Sequence, residues 1–320
     1  MAGSRRLRWF IFVLLLYLAF CSVGGVLLAD GALHPARRSL ASEDAAAFGQ
    51  RIQPLHAIVE DVTATAPDGA VLRGWIVQPA QPNGDAVLLL HGLGDNRLGM
   101  TGYAQLLLAH GFTVLLPDAR AHGLSDGNVA TYGLIERSDI RQWVELLRSE
   151  SGVHCVYGIG ESMGAAQLLQ SLSAGAPFCS VVAESAFANF REIAYDRMGQ
   201  PFHLGPWLGR TVLRPMVELA FLRAKWKYGL NMEQVSPEAA VAATHVPVLL
   251  IHGQIDGNIP VRHSRRINAL TPQTVLWEVP GADHCGAIAA SPREFERRLL
   301  DWFGAHPASG PPQFSLGSRK

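Results

Sequence analysis

The sequence predicts an α/β protein built on a mostly parallel sheet with helices on both faces. Three observations carry that prediction. Short, fully apolar runs recur along the chain, as strands buried on both faces require. Helical patterns of period 3.6 alternate with them, the rhythm of βαβ units. And 48% of the 320 residues are hydrophobic against 17% charged, enough to bury a sizeable core. The formal charge is zero, so no basic excess exists to attract nucleic acid.

At the N-terminus, Arg5, Arg6 and Arg8 precede Trp9 and an uncharged apolar run over 10–29. About 20 apolar residues cross the bilayer core as a helix, so residues 1–30 read as a membrane anchor or signal. A cleavable signal has a shorter apolar core and small residues before the cut. Leu27-Leu28-Ala29 meets that poorly, and an uncleaved N-terminal transmembrane helix is expected. The leading arginines stay cytoplasmic and put the body on the other side of the membrane. Cleavage would instead leave a secreted or periplasmic body. Residues 31–58 read as a connector with a short helix after Ser42.

Beyond the connector, Pro67-Asp68-Gly69 marks a turn between β-rich runs at 59–65 and 71–77. Strands are predicted at 86–90, 112–116, 153–159, 181–183, 248–251 and 274–279. Helices are predicted at 99–110, 135–149, 165–172 and 292–303. On the second of these, Ile140, Trp143, Val144 and Leu147 share one face. Residues 186–243 break the rhythm, because the flanking strands need only one helix between them. The stretch is aromatic and apolar (Trp207, Phe221, Trp226) with Arg210, Arg214, Arg223, Lys225 and Lys227 interleaved. An insertion that long predicts a helical lid placed before the penultimate strand. The folded domain is expected over 59–304, and the tail 305–320, with Pro311-Pro312, is expected to be disordered. Cys155 and Cys179 fall in or beside apolar strands and read as small core residues, with no disulfide needed.

Gly160-Glu161-Ser162-Met163-Gly164 is a G-x-S-x-G set between the 153–159 strand and the 165–172 helix. Strand, tight turn and helix push such a serine onto a strained elbow with its Oγ exposed. An inert serine in a glycine-flanked turn is the plain alternative, so partners must decide. A serine hydroxyl is a poor nucleophile until a histidine takes its proton and a carboxylate orients that histidine. The elbow predicts the chain order serine, acid, histidine, with the last two just past later strands. Asp256 follows the 248–251 strand, and His284 follows the 274–279 strand. Taken singly, they read as a turn aspartate beside Gly257 and a surface histidine. In this order and at strand ends, they predict a triad with Ser162. Asp283 is the competing acid, but its adjacency to His284 leaves it little freedom to reach Nδ1. His91-Gly92-Leu93-Gly94 follows the 86–90 strand, where an oxyanion loop belongs. The backbone amides of Leu93 and Met163 are the candidate oxyanion donors, and His91 reads as a structural residue that fixes the loop.

On these residues the chain resembles the α/β-hydrolase superfamily. Within it, the chain is similar to lid-bearing serine hydrolases such as monoacylglycerol lipases and bacterial serine aminopeptidase-like enzymes. The likeness covers about 59–304. It is carried by His91-Gly92-Leu93-Gly94, Pro117-Asp118-Ala119-Arg120-Ala121-His122-Gly123-Leu124-Ser125, the Ser162 elbow, His252-Gly253-Gln254-Ile255-Asp256 and Asp283-His284. Such lipases often carry histidine before the nucleophile, where this chain has Glu161. The resemblance implies acyl transfer to Ser162 and hydrolysis by water, on a small-molecule acyl ester or lipid-like substrate. It implies no metal or organic cofactor, and a structural role for the 118–125 loop. Gly158-Ile159-Gly160 begins like a dinucleotide fingerprint, but Met163 stands where the third glycine belongs.

A peptidase or acyltransferase on the same triad is the alternative. Peptide binding would favour lid carboxylates that hold an N-terminal amine, and Glu192, Asp196 and Glu218 are available. A non-enzymatic, membrane-tethered binding module is the reading of another class.

Overall fold

One twisted sheet organises the protein, and the computed structural model describes residues 2–308 of it. The expected disorder beyond 308 lies outside the described residues. The strands are β1 (Ile58–Thr65), β2 (Val71–Gln78), β3 (Asp85–Leu90), β4 (Thr113–Pro117), β5 (Cys155–Glu161), β6 (Val181–Glu184), β7 (Val248–Gly253) and β8 (Thr274–Val279). They lie in the order β1-β2-β4-β3-β5-β6-β7-β8. β2 runs antiparallel to both β1 and β4, and all other pairs are parallel. The first hairpin closes where Gly69 adopts φ +87°, a left-handed conformation that glycine takes without strain.

The helices are α1 (Ala2–Leu33), α2 (Ser42–Ile52), α3 (Thr101–Ala109), α4 (Glu136–Ser149), α5 (Met163–Leu172) and α6 (Phe190–Gly199). They continue as α7 (Trp207–Arg210), α8 (Arg214–Tyr228), α9 (Pro237–Ala242), α10 (Arg262–Asn268), α11 (Ala287–Ala290) and α12 (Pro292–Ala305). Alternation along the strands sorts them into two layers. Val87 and Leu89 of β3 join a core with Phe48 of α2, Tyr103 of α3 and Phe295 and Phe303 of α12. Ala86, Leu88 and Leu90 join the opposite core, with Trp143 and Leu147 of α4 and Leu168 of α5. The last helix runs two residues past its expected end and takes up residue 305, which had been assigned to the tail.

The cysteines need a correction. Cys155 and Cys179 are disulfide-bonded, with their Cα atoms 6.0 Å apart. β5 and β6 are parallel neighbours, so the chain returns through α5 to the edge from which it left. Cys179 stands there beside the start of β5, and its amide donates to the Val156 carbonyl at 2.9 Å. Reading each cysteine against its own strand misses a contact that only the βαβ crossover makes.

Helices α6 to α9 form the segment between β6 and β7. They build a third core, in which Val217 and Phe221 of α8 meet Tyr132, Phe187 and Leu33. The presence of Leu33 there shows that α1 is part of the fold. Ser4–Leu33 spans 30 residues, and its most apolar 18-residue stretch has a mean hydropathy of 2.6. It is long and apolar enough to cross a membrane, and its N-terminal position suits an anchor and a signal sequence alike. The first half is exposed on nearly every side. From Cys21 onward one stripe is buried: Cys21, Gly25, Ala29 and Leu33, spaced by four. That stripe packs on α8. A Cβ at Gly25 would stand 2.8 Å from Leu219 Cβ and 2.9 Å from the Met216 carbonyl oxygen, so glycine is what permits the approach. The helix continues past residue 30 because Asp30 has partners. Its carboxylate meets Arg223 at 3.0 Å, Lys227 at 3.4 Å and the Tyr228 hydroxyl at 2.7 Å.

Candidate active site

β5 delivers the chain into a turn with no room to spare. Ser162 has φ +50° and ψ −110°, a conformation that costs a non-glycine residue strain. The surroundings hold it there: its amide donates to the Glu184 carbonyl at 2.9 Å, and its carbonyl accepts from Ala166 at 3.1 Å. The flanking glycines are obligatory. A Cβ at Gly160 would lie 2.5 Å from the Gly164 oxygen, and one at Gly164 would run into the Leu90 carbonyl.

Two later strand ends bring groups to the Ser162 hydroxyl. His284, past β8, has its Nε2 3.0 Å from Ser162 Oγ. Its Nδ1 is 2.9 Å from Oδ2 of Asp256, past β7. The second Asp256 oxygen accepts from the Asn258 and Ile259 amides at 2.9 and 2.8 Å. His252, four residues upstream, brings Nε2 to 3.3 Å from the same carboxylate. Burial would raise the Asp256 pKa, but the hydrogen bonds from His252, His284 and Ile259 outweigh it and hold the carboxyl well below its usual range. Asp256 is thus an anion placed to keep Nδ1 protonated and leave Nε2 as the acceptor for the serine proton. Asp283 does not contact the ring; its Oδ1 accepts from the Gly257 and His284 amides at 3.1 and 2.8 Å.

The loop after β3 lies against the elbow. A Cβ on Gly92, the residue before Leu93, would be 3.7 Å from Ser162 Cβ. The Met163 amide is the first in α5, at the positive end of the helix. Two histidines pin the loop. His91 donates from Nδ1 to the Gly92 carbonyl at 2.8 Å and accepts the Ala119 amide at Nε2 at 3.0 Å. His122 donates from Nδ1 to the Arg120 carbonyl at 2.7 Å and accepts the Gly94 amide at Nε2 at 3.1 Å. Both rings are neutral in this arrangement, and burial, with His122 nearby, lowers the His91 pKa to about 4. The 118–125 loop is fixed in turn by the buried Arg97–Asp118 pair at 2.7 Å.

Glu161 lies next to the serine and is partly buried. The Tyr103 hydroxyl donates to Glu184 at 2.7 Å and stands 3.4 Å from Glu161. The Ala287 amide also donates to Glu184, at 2.9 Å. Burial raises the Glu184 carboxyl too, against these two donors, which favour its charged form. Burial and the neighbouring Glu184 push the Glu161 pKa up to about 8.

Above these groups lies a cavity of about 640 Å³, within the usual size of small-molecule sites. Phe187, Phe190, Phe221 and Met232 line it from the lid side, Ser162 and His284 from the sheet side. Residues 27–29 and 31–33 of α1 line it as well. The five lid carboxylates are all engaged elsewhere; Glu233 pairs with Arg191 and Glu238 with Arg266. Glu192 pairs with Arg210 and Arg262, Asp196 with Arg262 and His263, and Glu218 with Arg191 and Arg214.

The fold places the chain in a known class. Residues 87–298 match the alpha/beta hydrolase family, and the chain belongs to that family. It is 34% identical over 206 residues to the uncharacterized protein YqkD of Bacillus subtilis (strain 168), covering 62% of this chain and 64% of that one. The chain therefore spans less than two thirds of that relative's length. It is 25% identical over 239 residues to the uncharacterized protein YfhR of Escherichia coli (strain K12), covering 72% of this chain and 75% of that one. Among solved structures it is similar to the Pyrococcus furiosus esterase Pf2001, with a TM-score of 0.66 at 24% identity over 86% of this chain and 98% of that one. It is also similar to the Pyrococcus horikoshii acylaminoacyl peptidase, with a TM-score of 0.59 at 18% identity over 84% of this chain and 45% of that one. At these identities the structural likeness speaks for the fold alone.

Sequence reasoning missed three parts of the site. His252, at the end of β7, is four residues from Asp256 in a segment already singled out, a spacing that could have found it. Glu184 and Tyr103 reach Glu161 only through the sheet and carry no local signal. The α1 residues in the cavity lie 129 or more positions from Ser162, outside the reach of any motif.

Proposed function

We propose that the protein is a serine hydrolase that cleaves carboxylic esters through an acyl-serine intermediate. The observation that carries this is the unbroken relay from Ser162 Oγ through His284 to Asp256, at 3.0 and 2.9 Å. Ser162 Oγ attacks the ester carbonyl as His284 Nε2 takes its proton. The Leu93 and Met163 amides receive the developing oxyanion. Collapse expels the alcohol with the proton from His284 and leaves an acyl-Ser162. Water then attacks that acyl group, giving a proton to His284, and the second collapse returns the proton to Ser162 and releases the acid.

An ester is favoured over a peptide because Glu192, Asp196, Glu218, Glu233 and Glu238 are each already paired with an arginine and leave no lid carboxylate for a terminal amine. A binding module without chemistry would have no need for the strained Ser162 backbone or the aligned His284. In our reading α1 anchors the protein, with the hydrolase domain on the non-cytoplasmic side. The leading Arg5, Arg6 and Arg8 support that orientation. The Cys155–Cys179 bond supports it independently, since disulfides persist in oxidising compartments.

Replacing Ser162 by alanine in the full-length protein tests the proposal. Turnover of p-nitrophenyl esters is expected to fall at least about 10³-fold while the melting temperature holds. Undiminished turnover would overturn it.

A further inference from the structure

The N-terminal helix stands in an unusual place for an anchor. Its Leu27, Leu28 and Leu33 line the same cavity as Ser162 and His284. The contact is built in along the whole second half of α1. The Cys21–Gly25–Ala29–Leu33 stripe lies on α8, and Gly25 allows backbone-distance approach. The Tyr17 hydroxyl donates to the Val212 carbonyl at 2.5 Å. At the far end, the Ala32 carbonyl accepts from the Tyr132 hydroxyl at 2.8 Å, and the Leu33 carbonyl from the Ala130 amide at 2.9 Å.

Leu27 shows what this placement does. It lines the cavity and yet is 67% exposed on the outer, apolar surface of α1. Cavity wall and the outer apolar surface of α1 are therefore continuous through one side chain. The lid carries apolar side chains outward as well: Trp207, Val212, Leu222 and Trp226, the last 79% exposed. Tryptophan collects at membrane–water interfaces. A long acyl chain that passes from bilayer to cavity along this surface never exposes its methylenes to water, which is the costly step on any aqueous route.

We infer that α1 is a wall of the acyl-binding cavity, and that the substrate is a membrane-resident ester whose long acyl chain enters between α1 and the lid. This deepens the ester-hydrolase reading and rests on it. It assigns α1 a share in specificity, beyond tethering.

The test uses full-length protein in phosphatidylcholine nanodiscs, with p-nitrophenyl palmitate and p-nitrophenyl acetate as probes. Gly25→Leu wedges α1 away from α8, and Leu28→Trp fills the cavity from the α1 side. Labelling of Ser162 by a small fluorophosphonate reports that the site is intact in each. In both variants the palmitate-to-acetate ratio of kcat/KM is expected to fall about tenfold or more. A ratio unchanged in both variants, with labelling retained, overturns the inference. So does a wild-type enzyme that turns over acetate and leaves palmitate untouched, an outcome that spares the ester-hydrolase reading. A wild-type enzyme that is neither labelled nor active on any ester overturns that reading itself.

Discussion

The cavity has a floor and a roof, and they are held by different means. The floor is made of strand-end loops locked by backbone. Ser162 is strained into place by amide hydrogen bonds, Gly160 and Gly164 admit no Cβ, and Asp256 is gripped by two amides. The roof is made of side chains. α8 packs its apolar face on α1, Arg191 lies 4.5 Å over the Phe221 ring, and partly exposed ion pairs fasten the edge. Catalytic groups must be held to within about 0.5 Å, which favours backbone constraints. A roof that admits flexible chains, as proposed for α1 and the lid, needs no such tolerance, and exposed ion pairs contribute little rigidity. The two regions should therefore fail differently.

The largest effect should come from the floor. Asp256→Asn keeps the shape but removes the anion that holds His284 in the working tautomer, and kcat should fall about 10⁴-fold. A loss equal for acetate and palmitate esters would mark it as a pure floor defect. A loss confined to palmitate would break the comparison.

A smaller effect should come from Glu161→Gln. The Glu161 carboxyl is raised from its ordinary 4.5 to about 8. Between those values the folded protein holds a proton that the unfolded chain has released, so stability falls as pH rises through the window and levels off above it. Glutamine has no proton to lose. Thermal melts should show the variant matching the wild type near the bottom of that window and exceeding it increasingly towards the top. Parallel melting profiles would show that Glu161 carries no buried proton.

The smallest effect is expected at the roof edge. Asp30→Asn removes the charge that joins α1 to Arg223 and Lys227, both partly exposed. Activity on acetate esters should stay within about twofold. A collapse of acetate turnover would show that floor and roof are mechanically one body.

The same division governs what could be read before any coordinates. Strands β3 to β7 were legible because a strand buried on both faces is written as an apolar run. Ser162, Asp256 and His284 could be picked out because the elbow has a local signature and prescribes an order for its partners. The roof follows no such rule. Residues 186–243 announced an apolar lid by composition, but α8 meets α1 across nearly two hundred residues. Glycine at 25 looks like any glycine in a membrane helix until Met216 is seen against it. The Cys155–Cys179 bond was hidden for a related reason. It joins the starts of two neighbouring strands, and only the crossover between them makes the pair visible.

The position of α1 bears on how the enzyme can be handled at the bench. Membrane hydrolases are often trimmed of their hydrophobic N-terminus to obtain a soluble catalyst. Here that trimming would delete Leu27, Leu28 and Leu33 from the cavity, release Asp30 from its cations, and uncover the face of α8 that Gly25 seats. Ser162, His284 and Asp256 would all survive the cut. On the proposed reading, the trimmed protein would hydrolyse small chromogenic esters and still misreport which esters the intact protein selects.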